Sequence, residues 1–244
     1  MDATRSLEGL TALVTGATSG IGRAVAEEFG RLGAEVIVHG RDIVRADDVV
    51  HAILAEGGRA RFVVADLENP CEVEGLARAS DPVDVLVNNA GFFQYGATED
   101  LDVASFDRLI ATNVRAPYFL VAALAPKMVA RGGGSIINVG SMAGQIGLAG
   151  AAAYSATKAA LASLTRTWAA EFSPGGVRVN AVAAGPVYTA IQSADQTEAI
   201  GATTLMHRAA EAQEIANVIA FLASPMASYV TGATLAADGG RSAI

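Results

Sequence analysis

Seven short runs rich in Val, Ile, Leu and Ala recur along the chain, at residues 10–15, 35–39, 60–65, 83–87, 135–139, 177–182 and 234–236, with helix-length stretches between them. Runs of this length predict strands. Most are continuously apolar and do not alternate with polar residues, as a parallel sheet requires when helices cover both of its faces. The alternation of strand and helix predicts an α/β fold, doubly wound, with about seven mostly parallel strands and helices on both faces. The 244 residues suit one large domain spanning 1–244. Asn69 before Pro70 reads as a helix cap, and Gly30, Gly33, Gly57 and Gly58 read as helix ends. The triple glycine at 132–134 reads as a tight turn between a helix and a strand.

Composition narrows the function classes. Residues of hydrophobic type make up 52% and charged ones 17%, which excludes a disordered chain. Asp and Glu (25) outnumber Lys and Arg (17), giving a net charge of −8, so no basic surface is available for nucleic acid or an anionic membrane. One cysteine, Cys71, forms no internal disulfide, and His39, His51 and His207 lie too far apart in sequence to suggest a metal site. Residues 1–9 lack the layout of a signal peptide, and Gly, Ser, Thr or a charge breaks every apolar run before it spans a bilayer. The expectation is a soluble cytoplasmic protein with no nucleic-acid or membrane partner.

The first strand runs into Thr15-Gly16-Ala17-Thr18-Ser19-Gly20-Ile21-Gly22, and helical periodicity follows over 23–32. A strand, a glycine turn and a helix in that order aim backbone N–H groups and a helix N-terminus at a pyrophosphate, so the fold is expected to be Rossmann-like. The turn lacks the lysine of a nucleotide-triphosphate loop, which disfavours ATP and GTP. A glycine-rich turn without a ligand is the plain alternative.

Further signals follow in order: Asn88-Asn89-Ala90-Gly91 after the fourth strand, then Asn113, Ser141, Tyr154-x-x-x-Lys158, and Gly185-Pro186 with Thr189 after the sixth. Together with the glycine spacing they resemble the classical short-chain dehydrogenase/reductase family across nearly the whole chain. The resemblance implies an NAD(P)-dependent oxidoreductase acting on CH–OH and C=O groups, with Asn113, Ser141, Tyr154 and Lys158 as its catalytic set.

These residues make chemical sense at their spacing. Tyr154 and Lys158 lie four apart in an alanine-rich helical run, so they share one face. A free tyrosine ionises near pH ~10, and bringing it to neutrality as a general base takes about 4 kcal/mol. A unit charge about 4 Å away supplies roughly that at an effective dielectric of about 20, so Lys158 alone is expected to suffice. Only Lys127 and Lys158 among the 17 basic residues are lysines. A lysine in a chain that otherwise uses arginine suggests a need for a compact ammonium, one suited also to ribose hydroxyls. Ser141 follows a strand at the carboxyl edge of the sheet, placed to hold a substrate oxygen; a turn or cap serine is the alternative. Pro117 has no N–H, which frees the Asn113 carbonyl from its helical partner. The resemblance implies that this carbonyl binds a water linked to Lys158; a simple helix kink is the alternative.

Cofactor choice is expected after the second strand, at His39-Gly40-Arg41. No carboxylate stands at Gly40, and Arg41 suits a 2′-phosphate, so NADP(H) is favoured, with NAD(H) kept possible by Asp42. On that reading Gly40→Asp moves preference towards NAD. The resemblance implies cofactor contacts from Gly16, Thr18, Ser19, Gly20, Ile21, Gly22, Arg41, Asp66, Leu67, Asn88, Ala90, Gly91, Tyr154, Lys158, Gly185, Pro186, Val187 and Thr189, with Asp66 at the adenine and Val187 and Thr189 at the carboxamide. Asn89 and Gly91 are free to take unusual backbone angles beside the cofactor.

Phe92, Phe93, Ser141, Met142, Gln145, Ile146, Tyr188 and Ile191 are expected to line the substrate side, under a lid at about 188–206. Their character suits a small or medium carbonyl compound. A 3-oxoacyl-[acyl-carrier-protein] reductase is the second reading: Arg131 is available to an acidic carrier, but the turn Ser173-Pro174-Gly175-Gly176 lacks the basic residue such reductases carry. A non-catalytic dinucleotide-binding regulator is the third. The run at 151–172 is apolar on nearly every side, which predicts burial all round and a homodimer or homotetramer.

Overall fold

The structure, a computed structural model, describes residues 5–189 and 193–244. It contains strands β1 (Thr11–Val14), β2 (Glu35–Gly40), β3 (Arg59–Val64), β4 (Val85–Asn88), β5 (Gly134–Ser141), β6 (Val177–Ala184) and β7 (Thr234–Ala237). Helices α1 (Gly20–Arg31), α2 (Ile43–Ala55), α3 (Pro70–Ser80), α4 (Val103–Ile110), α5 (Ala116–Ala130), α6 (Ala152–Phe172), α7 (Ala194–Gly201) and α8 (Ala212–Ala223) connect them. All seven strands form one sheet in the order β3-β2-β1-β4-β5-β6-β7, and every pairing is parallel. The chain winds outward from β1 to β3, returns to β4 on the other side of β1, and winds outward again. The reversal between β1 and β4 opens a crevice at the carboxyl ends of those strands.

The continuous apolar runs follow from this arrangement. Successive strand residues point to opposite faces, so Val36 and Val38 join a core with α1, α2 and α8. Ile37, between them, joins the other core with α3, α5 and α6. Leu13 and Leu86 divide from their neighbours in the same way. A strand that feeds two cores has no polar face. The outer strand β3 carries Arg59 and Arg61, charges suited to an unpaired edge.

Local punctuation explains the helix ends. Asn69 caps α3, its Oδ1 accepting from the Cys71 N–H at 3.0 Å, with Pro70 at the first helical position. At the end of α2, the N–H of Gly57 donates to the Leu54 carbonyl and that of Gly58 to the Ile53 carbonyl, and Gly33 and Ala34 close α1 in the same pattern. Gly30 differs from expectation: it lies inside α1, and its role is close packing, since a Cβ there would sit 2.7 Å from Ile53 Cγ2. Between α4 and α5, residues 111–115 form a π turn in which the Ala116 N–H reaches back to the Ala111 carbonyl. The widened turn sits directly before Pro117, the residue that lacks a donor. The span Val103–Ala130 is long and apolar enough to cross a membrane, but Leu109, Leu120, Leu124 and Met128 are buried within the fold.

Asn88 departs from its expected role. It is the last residue of β4 and its side chain points into the protein, where Nδ2 donates to Asn138 Oδ1 at 2.9 Å. Asn138 Nδ2 donates in turn to Thr165 Oγ1 at 2.8 Å, and that hydroxyl donates to the Leu161 carbonyl. This buried polar chain ties β4, β5 and α6 together. Replacing Asn138 strands a donor on Asn88 and an acceptor on Thr165, each costing about 1–3 kcal/mol. We therefore expect Asn138→Ala to lower unfolding free energy by about 2 kcal/mol or more in urea titrations, and an unchanged midpoint would contradict the network.

Candidate active site

A cleft of about 940 Å³ opens at the carboxyl ends of β1, β2, β4, β5 and β6, a volume at the upper end of the range for small-molecule sites. The glycine turn between β1 and α1 forms its floor: Gly16, Thr18, Ser19, Gly20, Ile21 and Gly22 all line it. Gly16 has φ +64°, and a Cβ on Gly22 would fall 2.2 Å from the Gly16 carbonyl oxygen, so the turn folds this tightly only with glycine at both places. Ser19 precedes α1 without capping it through its side chain, and the first turn carries no acidic residue. The free N–H groups and the positive end of the helix suit an anion such as a pyrophosphate.

Asn89, one residue past Asn88, takes the cleft-facing position. Its Nδ2 donates to the carbonyls of Thr15 (2.9 Å) and Gly16 (3.2 Å), and its N–H and that of Ala90 both donate to Thr15 Oγ1 at 3.0 Å. The β4 loop thus holds the glycine turn in place. Neither Asn89 nor Gly91 has a positive φ. Ala90 and Gly91 line the cleft, as do Gly185, Pro186, Val187 and Thr189 after β6. Gly185 presses on β7, where a Cβ would lie 2.6 Å from Asp238 Cα.

At the far end Arg41, Asp66 and Leu67 line the cleft. The Arg41 side chain is 61% exposed and its guanidinium lies 3.9 Å from Glu68 Oε1. Asp42 is occupied elsewhere: its Oδ1 caps α2 by accepting from the Arg45 N–H at 3.2 Å, and its Oδ2 pairs with Arg45 Nε at 3.2 Å. A Cβ on Gly40 would fall 2.3 Å from Thr18 Cγ2. Gly40→Asp therefore displaces Thr18 as well as adding charge, and isolating the charge effect needs Thr18→Ala beside it. Asp66 Oδ1 accepts from the Glu68 N–H at 3.0 Å, which shapes the loop after β3.

At the near end Ser141, Tyr154 and Lys158 line the same cleft. Ser141 ends β5, and its Oγ accepts the Ala143 N–H at 3.2 Å, so it is a turn cap, and its hydroxyl also acts to lower the Tyr154 phenol. Lys158 Nζ donates to the Val139 carbonyl at 2.8 Å and stands 5.7 Å from the Tyr154 ring centre. Burial raises the Tyr154 phenol above its ordinary value, against the smaller opposing effect of Ser141. Burial also lowers Lys158, to about 8. This corrects the expectation that Lys158 alone brings Tyr154 to neutrality: the ammonium bonds to a carbonyl, not to the phenol, and desolvation prevails.

Asn113 contributes a side chain as well as a carbonyl. Its Oδ1 accepts from the Phe92 N–H (2.8 Å), and its Nδ2 donates to the Phe92 carbonyl (2.9 Å) and to Thr157 Oγ1 (3.0 Å). It clamps the loop after β4 to α6 beside Lys158. Phe92 lines the cleft under the Arg108 guanidinium, which lies 4.1 Å from its ring centre. Phe93 meets Tyr154 edge to face at 4.8 Å, and Met142 completes this wall. Gln145, Ile146 and Tyr188 are not in the lining. A 3₁₀ turn over Met142–Gly144 turns the chain back and leaves Gln145 exposed, while the Tyr188 N–H bonds the Ala210 carbonyl. Ile191 lies outside the described residues. Tyr95, Ala143, Leu148 and Ile200, which the sequence did not single out, stand in the lining instead.

His39 was legible only as a polar residue in an apolar run. It is 2% exposed; Nδ1 accepts from the Gly16 N–H at 3.2 Å, which fixes the proton on Nε2, and Nε2 donates to the Ala65 carbonyl at 3.1 Å. The ring joins the glycine turn to the loop bearing Asp66. Burial, with the nearby Arg41 charge, lowers His39 to about 4, against the bond to Ala65 and the Asp66 charge. The folded state therefore binds this proton less readily than the unfolded one. The resulting stability is complete above pH ~6.5 and fades as pH falls towards the folded value. Between pH 7.5 and 4.5 we expect wild type to lose about 2 kcal/mol more than His39→Asn in urea unfolding, and a pH-independent difference would count against the neutral bridge.

The family model described as enoyl-(acyl carrier protein) reductase matches residues 16–242. The chain is 40% identical to the cis-4-hydroxycyclohexanecarboxylate dehydrogenase of Sinomonas cyclohexanicum, over 96% of each chain. It is also 40% identical to the L-tagatose-forming galactitol 2-dehydrogenase of Cereibacter sphaeroides, over 96% of this chain and 95% of that one. Among solved structures, an angucycline C-6 ketoreductase with bound NADP superposes with a TM-score of 0.93 at 36% identity, over 98% of both chains. With its parallel seven-stranded sheet, its glycine turn and the Ser141, Tyr154, Lys158 cleft, the chain belongs to the classical short-chain dehydrogenase/reductase family and is an oxidoreductase acting on CH–OH and C=O groups.

Proposed function

We propose that the enzyme reduces a small or medium-sized carbonyl compound with NADPH, and catalyses the reverse oxidation, with Tyr154 as general acid and base. The observation that carries this reading is the meeting of Ser141, Tyr154 and Lys158 at one end of a cleft whose floor is the uncapped N-terminus of α1. The reduced cofactor, when bound, supplies the hydride. Ser141 holds the carbonyl oxygen, and Tyr154 delivers the proton to it. Lys158 binds ribose hydroxyls and favours the phenolate on the return step. The Asn113 carbonyl, opposite a proline at 117, holds a water that passes protons to Lys158.

The residues fit a dinucleotide along the cleft. Gly16, Thr18, Ser19, Gly20, Ile21 and Gly22 take the pyrophosphate, Asp66 and Leu67 the adenine, Ala90 and Gly91 the ribose side, and Gly185, Pro186, Val187 and Thr189 the carboxamide. Arg41 supports NADP(H) over NAD(H): it is exposed beside Gly40, and the nearest carboxylate in sequence, Asp42, is taken by the α2 cap. The segment 188–206 serves as the lid, and the chain acts as one catalytic domain. The exposed faces of α5 and α6, with Tyr118, Phe119, Ala156 and Ala159 outward, support a homodimer or homotetramer, in which a second subunit covers the side of α6 that the sheet leaves open. An exposed free thiol, Cys71, suits a reducing cytoplasm. Arg131 bonds the Asp81 carboxylate and the Val83 carbonyl of its own chain, which removes the cation considered for an acyl carrier.

Steady-state kinetics test both halves of the reading. Tyr154→Phe is expected to lower kcat by about 10²- to 10⁴-fold with the KM for NADPH little changed; parental turnover would overturn the acid–base role. Arg41→Ser is expected to raise the KM for NADPH about 10- to 100-fold, the worth of a charge-assisted phosphate contact, and to spare NADH. An equal effect on both cofactors would overturn the NADP assignment.

A further inference from the structure

The cleft is charged at one end and apolar at the other. Arg41, Asp42, Arg45, Asp66, Glu68 and Arg108 line it at the loops after β2 and β3, the first turn of α2 and α4, where Arg108 pairs with Glu68 and stacks on Phe92. Beyond Ser141 the described lining is Phe93, Tyr95, Met142, Ala143, Leu148 and Ile200. Beyond Ser141 and around Tyr154, Lys158 is the only charged residue among the described lining residues; the residue is 5% exposed and its ammonium is bonded to the Val139 carbonyl. Among the described residues beyond Ser141, none is placed to pair with a carboxylate or phosphate.

The aromatic wall is built as well as present. Phe93 stands 5.7 Å from Tyr95 and meets Tyr154 edge to face at 4.8 Å. Tyr95 rests on Gly150, where any Cβ would come within 2.6 Å of its ring, and the Gly96 N–H donates to the Gly150 carbonyl at 2.9 Å. This pins the loop after β4 against the loop after β5, although Tyr95 remains 53% exposed. A substrate carbonyl that reaches both Ser141 and Tyr154 has its neighbouring carbons beside Phe93. Polyols fare poorly at such a site, because hydroxyl groups there lose water without gaining partners. A rigid ring packs on aromatic faces and has little conformational freedom to lose.

We infer that the substrate is an uncharged cyclic ketone, alicyclic or aryl-fused, whose ring lies against Phe93 and Tyr95; the inference rests on the carbonyl-reductase reading above. In the reaction the carbonyl π bond breaks, the carbon gains a hydride and the oxygen gains the Tyr154 proton. The ketone is reduced to a secondary alcohol as the reduced nicotinamide dinucleotide is oxidised. Tyr95 is then a specificity-determining residue.

The experiment measures NADPH and NADH oxidation with cyclohexanone, 1-tetralone, 2-butanone, 5-ketogluconate and an acetoacetyl thioester. Cyclic ketones are expected to exceed the ketogluconate and the thioester at least tenfold in kcat/KM. Tyr95→Ala is expected to lower the 1-tetralone to 2-butanone ratio of kcat/KM about tenfold, mainly through KM, and Tyr95→Phe to restore it. Preference for the ketogluconate or the thioester, or a Tyr95→Ala loss equal for both ketones, overturns the substrate class while leaving the reductase reading intact. Failure of every carbonyl to oxidise either cofactor overturns both.

Discussion

A buried ammonium beside a half-buried phenol sets the conditions for everything at this site. Lys158 is held away from water with the Val139 carbonyl as its bonded partner, and no carboxylate pairs with it among the described residues. Such a group stays charged only at a cost, which is why Lys158 falls to about 8 while the neighbouring Tyr154 rises. Both shifts move towards the uncharged pair. The protein thus holds the tyrosine as a proton donor, the form that carbonyl reduction needs. The reverse reaction needs the phenolate, and further positive charge in the cleft would favour it.

The pair keeps its place through contacts that reach far from it. Asn113 locks the loop after β4 to α6 through Phe92 and Thr157, and the π turn before Pro117 lets the backbone carry that asparagine at the required point. Phe92 lies beneath Arg108, Arg108 pairs with Glu68 at 2.7 Å, and Glu68 lies beside Arg41. Contacts therefore run from the tyrosine end of the cleft to the cation at its far end. Near that cation, His39 joins the glycine turn to the Asp66 loop. The cleft is rigid at both ends and apolar where a substrate would enter.

Much of this was legible in the sequence. The seven strands could be read because each feeds two cores and so is apolar without interruption. The glycine turn and the Tyr154, Lys158 spacing were local, and they survive folding because a turn and a helix are local. Errors arose where one residue of phase or one tertiary contact decides. Asn88 and Asn89 are adjacent and chemically identical, but the pleat sends one into the interior and the other to the cleft. Gly30 sits one residue before the end of α1, where composition cannot tell a packing glycine from a terminator. Gln145 and Ile146 were misplaced by a 3₁₀ turn, and Tyr95 and Leu148 enter through a contact between loops distant in sequence. The polar position of His39 within an apolar strand was a signal present but unread.

The most direct test of the electrostatic account follows tyrosine ionisation by ultraviolet difference absorbance, comparing wild type with Tyr154→Phe, with and without bound NADP⁺. With five tyrosines in the chain, the difference between the two proteins isolates one. The account predicts that Tyr154 ionises above the usual tyrosine value in the free protein and clearly lower once the cationic nicotinamide ring of the oxidised cofactor is bound. An ionisation already near neutral pH without cofactor, or one that does not move when NADP⁺ binds, would contradict it.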